Sequence, residues 1–421
     1  MNDPAPKRFR LGPGLLVTAA FIGPGTVVTA SKAGAQYGTS LLWAVVFACL
    51  TTIVFQEMAA RIGIISQEGL GQAIGKLVRV PAVRLGVAAL IVVAILIGNA
   101  AYQTGNILGA ATGIDVARQN EQANPMLPLI VGAIGAFAIV VICLNKFSVL
   151  QSLLTGLVVL MSLLFLAAAL MSAPPVGEIA SGLVPSIPKG SLWLLIAVLG
   201  TTVVPYNLFL HASLAATQWS DCNTEEEKAA AIRNSRWDTI LSVSLGGIVT
   251  SAILLSASSA FSEVRAAGQP GAISGIGDIA NQLRPALGNL SPWLFGVGLF
   301  AAGLTSAITA PVAAAYAAAG CFGWPNNLGD WRLRIVAIAV VLAGVIAAIA
   351  WGKSPQQAIA VAQVANGLLL PVLAIFILLI ANQSKLMSRH VNSKAFNVIA
   401  ITMIAVILLL AVRQLKGGFG L

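Results

Sequence analysis

The stretch FIGPGTVVTA, from Phe21 to Ala30, places Gly-Pro-Gly in the middle of an apolar segment. Proline has no backbone N–H and clashes with the preceding turn, so it interrupts a helix. In water the freed backbone groups would be solvated, whereas in lipid they would stay unsatisfied. The meaning of this break therefore depends on whether the segment crosses a membrane.

The composition indicates a polytopic membrane protein. Of the 421 residues, 58% are hydrophobic and 9% are charged, whereas an ordinary soluble domain carries about a quarter charged residues. Apolar runs long enough to cross a hydrocarbon core of about 30 Å predict eleven spans. Numbered span 1 to span 11 along the chain, they are residues 14–37, 41–64, 85–110, 127–145, 149–172, 191–217, 238–260, 291–320, 333–351, 357–381 and 395–413.

The net charge of +10 comes from Lys and Arg residues in the short loops between the spans. In that position they act as topology signals and do not indicate a nucleic-acid partner. About two-thirds of the 24 basic residues lie on the side of the N-terminus. The charge-rich stretch from Asp221 to Asp238 predicts a solvated cytoplasmic helix before span 7. We therefore predict an integral protein of a bacterial-type inner or plasma membrane, with the N-terminus in the cytoplasm and the C-terminus outside.

The sequence contains no indication of an enzyme or of a cofactor. Cys49, Cys143, Cys222 and Cys321 have no paired spacing, so neither a disulfide framework nor a zinc site is predicted. No phosphate-binding glycine loop followed by Lys is present, and no catalytic constellation is evident. The lipid bilayer is the one partner that composition establishes, and the oligomeric state is left open.

A second break lies in span 6, in LGTTVVPYNLFLHA, with Pro205 in mid-segment. Pro24 and Pro205 each fall in the first span of a five-span block, and an odd number of spans inverts the second block in the bilayer. Interrupted segments at matching positions of two inverted halves indicate a secondary transporter with a midplane site. We predict one integrated transmembrane domain made of residues 1–172, the inverted block 191–381 and an eleventh span at 395–413.

Each proline alone is also compatible with a simple helix kink. Two breaks in register, each with polar neighbours, favour a binding site, because interrupted backbone at membrane depth is tolerated where it lines a cavity. Unwound carbonyl groups suit cations, and half-helix N-termini suit anions. The sign of the substrate charge therefore stays open at this point.

Short motifs surround these breaks and continue into the neighbouring spans. They are GPGT (23–26), AGAQYG (33–38), LLW (41–43), QEMAARIGIIS (56–66), VPYNLFLHA (204–212), AQV (362–364), LLP (369–371) and KLM (385–387). Together they resemble the Nramp (natural-resistance-associated macrophage protein) family of metal-ion transporters over most of spans 1 to 10. The resemblance implies an all-α, leucine-transporter-type fold of eleven transmembrane helices, with two inverted five-helix repeats and broken helices 1 and 6. It also implies alternating access and a divalent metal substrate.

The departures from the family pattern fall on the chemistry of the site. The family motif DPGN supplies a ligating Asp and Asn, and this chain has Gly23 and Thr26 there. The methionine that gives the family a soft sulfur ligand aligns with Val204. Thr201 takes the place of a small residue, and Tyr206 takes the place of a histidine.

The remaining polar groups predict a neutral site of oxygen ligands. A desolvated divalent ion without a carboxylate bears an uncompensated charge that costs on the order of several kcal/mol. Hard, partly hydrated Mg²⁺ suits neutral oxygen ligands better than Mn²⁺ or Fe²⁺ does. The predicted substrate-binding residues are Gly23, Gly25, Thr26, Thr201, Val204, Tyr206, Asn207 and Gln363. The predicted metal ligands among them are Thr26, Thr201, Asn207 and Gln363.

Four further residues are candidates for coupling or gating: Lys32, Gln103, Asn106 and His211. Gln103 and Asn106 align approximately with acidic residues of the family's proton route, and amides do not relay protons as carboxylates do. Canonical proton coupling is therefore doubtful. Lys32 would repel a cation and attract a carboxylate, or alternatively its side chain extends to the outer interface.

His211 matches a second histidine of the family motif, or alternatively is a hydrogen-bonded structural residue. Glu57 and Arg61, four residues apart on span 2, predict a structural ion pair. Two other functions remain compatible with the sequence. One is transport of a small organic solute such as an amino acid, whose carboxylate would meet the backbone at residues 23–26. The other is a sensor that does not transport.

Overall fold

A computed structural model describes residues 22–77, 81–118, 124–144, 148–268, 273, 275–324, 327–352 and 354–419, and throughout these residues the regular structure is helical. The long helices lie over the predicted spans and are numbered after them. They are α1 (Pro24–Tyr37), α2 (Leu42–Ser66), α3 (Pro81–Ala117), α4 (Leu127–Leu144), α5 (Ser148–Met171), α6a (Leu192–Thr202), α6b (Pro205–Gln218), α7 (Glu225–Ala260), α8 (Ser291–Phe322), α9 (Trp331–Ala350), α10 (Pro355–Ala381) and α11 (Lys394–Phe419).

Short helices lie in the connections between the long ones. They are Leu70–Leu77, Val176–Gly182, Ser262–Ala266, Ile276–Ile279, Arg284–Leu287 and Ser384–Met387, with 3-10 turns at Ala280–Leu283, Gly288–Leu290 and Ser388–His390. Within the described residues, nine helical segments are long and apolar enough to cross a membrane. This confirms an all-helical membrane protein. The count of eleven spans and the inverted repeat stay predictions.

Both predicted helix breaks coincide with helix ends. Gly23 is extended (φ −113°, ψ −174°) and α1 begins at Pro24; residues 14–21 of span 1 lie outside the described part of the chain. Span 6 is two helices, because Val203 and Val204 leave the helical conformation between α6a and α6b. Pro205 is the first residue of α6b, where its missing N–H costs nothing, and it forces Val204 into an extended conformation.

The cytoplasmic helix predicted between Asp221 and Asp238 is the first part of α7, which runs without interruption from Glu225 to Ala260 and so continues into span 7. Thr224 caps its start, because its hydroxyl accepts from the Glu227 backbone and the Glu227 carboxylate accepts from the Thr224 backbone. With neither Gly nor Pro around residue 238, the chain gives no reason for the helix to stop where the polar residues end.

Small residues let α6a and α10 approach closely beside the break in span 6. A Cβ atom added at Gly200 would overlap the carbonyl oxygen of Gln363, and one added at Gly367 would come within 2.7 Å of the carbonyl oxygen of Ile196. The obstacle is backbone in both cases, so it has no rotamer that relieves the overlap. Such close contact is typical of membrane helices whose interfaces carry small residues. It holds the end of α6a against the middle of α10.

We expect the Gly200→Ala substitution to lower the free energy of unfolding by about 3 kcal/mol, because the added methyl group meets backbone that has no space to move. The matched control is Gly156→Ala, at an exposed position of α5 where nothing lies within 4 Å of the added Cβ. Thermal unfolding of both variants in detergent measures the effect. Equal unfolding temperatures would contradict the close packing of α6a on α10.

Candidate functional site

The two helix breaks meet at a pair of threonine hydroxyl groups. Thr26, in the first turn of α1, and Thr201, next to the end of α6a, place their Oγ1 atoms 2.8 Å apart. Both side chains are completely buried. A hydroxyl keeps further lone pairs after one hydrogen bond. The contact therefore brings two neutral oxygen atoms, from the two interrupted spans, to one point inside the protein.

Two amide side chains lie on the helices that flank this pair. Asn207 is in the first turn of α6b, and neither its Oδ1 nor its Nδ2 has a hydrogen-bond partner among the described residues. Gln363 on α10 packs against the Cα of Gly25, and its Oε1 also lacks a partner there. Buried polar atoms are satisfied in the great majority of cases. The unsatisfied oxygen atoms of Asn207 and Gln363 are therefore available to a ligand.

Val204 and Tyr206 flank the break in span 6. Val204 is buried, and its carbonyl oxygen accepts a hydrogen bond of 3.1 Å from the backbone N–H of Asn207. Tyr206 is buried against Tyr102 of α3, with ring centroids 5.3 Å apart. The structure therefore brings the predicted residues of spans 1, 6 and 10 close to the two breaks, while Val204 contributes an apolar side chain with no ligand atom.

The arrangement carries no formal negative charge. In the part of the chain that the structure describes, no group of three or more His, Cys, Asp or Glu side chains is placed to hold a metal ion. The polar groups around the breaks are hydroxyls and amides. Such oxygen atoms are ligands for hard cations, and the set lacks the thiolate, thioether and imidazole ligands that softer transition metals prefer.

Gln103 and Asn106 lie on α3 but are turned to other helices. The Nε2 of Gln103 donates to the carbonyl oxygen of Ala307 on α8 at 2.8 Å, and its Cγ lies against Gly344 of α9. The Oε1 of Gln103 and the Nδ2 of Asn106 have no partner among the described residues. No contact described for either amide joins it to the Thr26–Thr201 pair, so the structure does not make them part of the same cluster.

His211 lies one helical turn after Asn207 on α6b and is completely buried. Its Nδ1 shares a hydrogen bond with the Oε1 of Gln56 on α2. This contact is the one expected if His211 is a hydrogen-bonded structural residue. Its Nε2 has no partner within the described residues, so the ring retains one polar atom that the contact with α2 does not use.

Lys32 is half-buried near the end of α1, nearly two turns after Thr26. The neighbouring Ser31 is fixed by Gln282, which lies in the connection between α7 and α8. The Nε2 of Gln282 donates to the Ser31 hydroxyl at 2.7 Å, and its Oε1 accepts from Ser256 of α7 at 3.2 Å. Gln282 is completely buried. This connection therefore covers the C-terminal half of α1, and Lys32 lies in that half, away from the pair of threonines.

The predicted ion pair on α2 is confirmed and is part of a larger network. Arg61 bonds to both oxygens of Glu57, at 3.1 to 3.3 Å. Arg236 of α7 adds a bond of 2.8 Å to Glu57. Arg61 also donates to the backbone of His390 and the side chain of Asn392, between α10 and α11. The network joins α2 to α7 and to the start of α11.

We expect Arg61→Ala to destabilise the protein by about 3 to 5 kcal/mol, because it leaves Glu57 buried with one partner fewer and removes the link to the α10–α11 connection. Arg236→Ala is the matched control. Since the Arg236 side chain is 52% exposed, its loss should cost roughly 1 kcal/mol. Thermal unfolding in detergent distinguishes the two. Similar small shifts for both variants would show that the network does not hold these helices together.

Three residues near the breaks were not predicted: Gln56, Tyr102 and Ser306. Tyr102 stands beside Gln103 in the sequence, and its own hydroxyl bonds to Tyr206 and to Ser306. In the sequence, each of these residues is a polar side chain inside an apolar span. Many other polar side chains in spans form a hydrogen bond only to their own helix. Whether a side chain bonds to its own helix or to a neighbouring one depends on how the helices pack, and sequence spacing does not give that packing.

The comparisons with known proteins agree over nearly the whole chain. The family model described as "Natural resistance-associated macrophage protein-like" matches residues 14–416. The divalent metal cation transporter MntH of Staphylococcus saprophyticus is 27% identical over 412 residues, covering 95% of this chain and 90% of the relative. MntH of Ralstonia nicotianae is 29% identical, covering 94% and 88%. The Eremococcus coleocola manganese transporter, solved in complex with an aromatic bis-isothiourea substituted compound, has a similar fold, with a TM-score of 0.77, 23% identity and coverage of 100% and 90%.

Proposed function

This chain belongs to the Nramp family, and on that basis we propose that it is a secondary membrane transporter of divalent cations that favours a hard ion such as Mg²⁺. The family consists of integral membrane transporters of metal ions, which are not enzymes, and the relatives named above are bacterial. A bacterial-type plasma membrane is the matching location. Eleven spans, two inverted five-helix repeats, a cytoplasmic N-terminus and alternating access belong to the same proposal.

The observation that carries the ion preference is the neutral oxygen set at the two breaks. The Thr26–Thr201 hydroxyl pair and the unpartnered amide oxygens of Asn207 and Gln363 are the proposed ligands. Backbone at Gly23 and Gly25 lets the chain approach closely, and Val204 and Tyr206 complete the wall. With neither carboxylate nor sulfur in this set, the binding energy for a softer ion is smaller. Mg²⁺ loses the least binding energy at such a site, because it keeps several of its water ligands when it binds.

The proposal includes transport without the proton route of the family. Gln103 and Asn106 stand where the resemblance puts acidic residues, and an amide has no proton to give at neutral pH. Among the described residues of α2, the one buried carboxylate is that of Glu57, and the charges of Arg61 and Arg236 already neutralise it. Lys32 and His211 remain candidates for gating. The organic-solute and sensor alternatives receive no support from the relatives, whose printed names are those of metal transporters.

Uptake into proteoliposomes tests the substrate. We expect saturable Mg²⁺ uptake that exceeds Mn²⁺ uptake at equal concentration, measured with an ion-sensitive dye inside and protein-free vesicles as the baseline. Thr201→Val should raise the KM for Mg²⁺ about tenfold, because it removes one hydroxyl ligand and the hydrogen bond to Thr26. Thr250→Val is the matched control, because the Thr250 hydroxyl is buried in α7 and bonds to its own helix at Gly246. Absence of uptake of both ions would contradict the proposed function.

A pH-sensitive dye inside the same vesicles tests the coupling. We expect Mg²⁺ uptake to leave the internal pH unchanged, since Gln103 and Asn106 of α3 are amides and Asp115, the carboxylate of this helix, lies beyond predicted span 3. The measurement is the change of internal pH per ion taken up, with a proton ionophore added at the end to calibrate the dye. Acidification that follows uptake in proportion would contradict this part of the proposal, while leaving transport itself established.

A further inference from the structure

The surroundings of Gly23 are made of hydroxyl groups. A Cβ atom added at Gly23 would lie 3.2 Å from the Oγ of Ser306 and 3.5 Å from the Oη of Tyr102. A contact of 3.2 Å is tighter than ordinary van der Waals packing, so a side chain at this position would displace the serine hydroxyl. The space in front of Gly23, where the resemblance puts a ligating Asp, is therefore filled by two neutral oxygen atoms from α3 and α8.

These hydroxyl groups form a continuous hydrogen-bonded series. Tyr102 hydrogen-bonds to Ser306 on one side and to Tyr206 on the other. All three side chains are buried, at 1%, 1% and 3% exposure. Tyr206 precedes Asn207, whose side-chain amide has no partner among the described residues. The series of hydroxyl groups therefore runs from the start of α1, through α3, to the first turn of α6b, which is also the turn that holds Asn207.

Packing alone does not account for this hydrogen-bonded series of hydroxyl groups. Three hydroxyl groups buried inside a membrane protein cost free energy unless each is bonded, and phenylalanine with alanine would fill similar volumes without that cost. The bonds also connect three different helices, α3, α6b and α8, at the level of the breaks. A series of hydrogen bonds at that place, which begins beside Gly23 and ends one residue before the unpartnered amide of Asn207, indicates a role toward the substrate.

We propose that Tyr102 and Ser306 are specificity-determining residues of the transport site, which replace a carboxylate at the start of α1 by neutral hydroxyl groups and so bias the site toward a hard cation. This inference rests on the proposed function and names further residues of the same site. A hydroxyl both donates and accepts, so it can bond to a water molecule on the ion as well as to the ion itself. It adds no charge, and the Ser306 hydroxyl crowds any side chain at position 23.

Substitutions that delete single hydroxyl groups test the inference. We expect Tyr102→Phe and Ser306→Ala each to raise the KM for Mg²⁺ about fivefold, the effect of one lost neutral hydrogen bond. The ratio of Mg²⁺ to Mn²⁺ uptake should fall in both variants, because the inference assigns the preference for the harder ion to these two hydroxyl groups. A merely structural role would lower uptake of both ions alike and leave the ratio unchanged. The matched controls are Tyr316→Phe, on α8, and Ser258→Ala, on α7.

A gain of function provides the second test. Gly23→Asp alone should leave Mn²⁺ uptake low, because the serine hydroxyl occupies the space that the carboxylate needs. The double variant Gly23→Asp with Ser306→Ala removes that obstacle and should take up Mn²⁺ at least about fivefold faster than the single variant, since it adds a charged ligand without the clash. Thermal unfolding of each variant, measured beside uptake, identifies any that is unfolded in the membrane.

The outcomes separate the inference from the proposal on which it rests. A wild-type protein that takes up neither ion contradicts the proposed function and the inference with it. A wild-type protein that transports, together with folded Tyr102→Phe and Ser306→Ala variants whose KM and ion ratio stay within about twofold of it, overturns the inference alone. If Tyr102→Phe alone is unfolded, the comparison of Gly23→Asp with its double variant decides, and equal Mn²⁺ uptake by the two overturns the inference. If Ser306→Ala is unfolded, the KM and the ion ratio of Tyr102→Phe decide, and values within about twofold of the wild type overturn the inference.

Discussion

Backbone that has left the helical conformation inside a membrane protein must be enclosed by other protein, and this constraint shapes the whole centre of the molecule. The chain leaves the helix at Gly23 and again at Val203 and Val204. Around these points, α1, α6a and α6b lie against α3, α8 and α10. The 2.8 Å hydrogen bond between Thr26 and Thr201 then joins one break directly to the other. The two breaks thereby meet at a wall of polar side chains inside an apolar molecule.

The charge of that wall distinguishes this chain from what its family resemblance implies. A carboxylate would attract a divalent ion strongly but would have to be desolvated itself when the site is empty. Hydroxyl and amide groups supply less binding energy to the ion and carry a smaller desolvation penalty in the empty state, since they bear no formal charge. The proposed consequence is a weaker site for a divalent ion, suited to one that is abundant. The glycines on both sides of Pro24 suit this neutral wall, because a side chain there would have to displace the amide of Gln363 or the hydroxyl of Ser306.

Much of the architecture was predictable from local patterns. Apolar run length located the long helices, and Pro205 located the break in span 6, because proline acts on the residues next to it whatever the surroundings. The Glu57–Arg61 pair followed from its spacing of four. A helix over the polar stretch from Asp221 to Asp238 was also predictable, whereas its continuity with span 7 was not, because a change from polar to apolar residues leaves the helix backbone unaffected. Tyr102, Ser306 and Gln56 were missed for a related reason: their partners are on other helices, and which face of a helix meets which neighbour is a property of the packed molecule.

The continuous α7 has a mechanical consequence. Arg236 near its beginning is bonded to Glu57 of α2, and Ser256 near its end is bonded to Gln282, which in turn holds Ser31 of α1. At 1.5 Å per residue these two attachments are about 30 Å apart, close to the thickness of the hydrocarbon core. With no proline or break between them, they belong to one rigid rod. A tilt of this rod that loosens one attachment must move the other, so the two faces of the protein are linked as the ends of a lever.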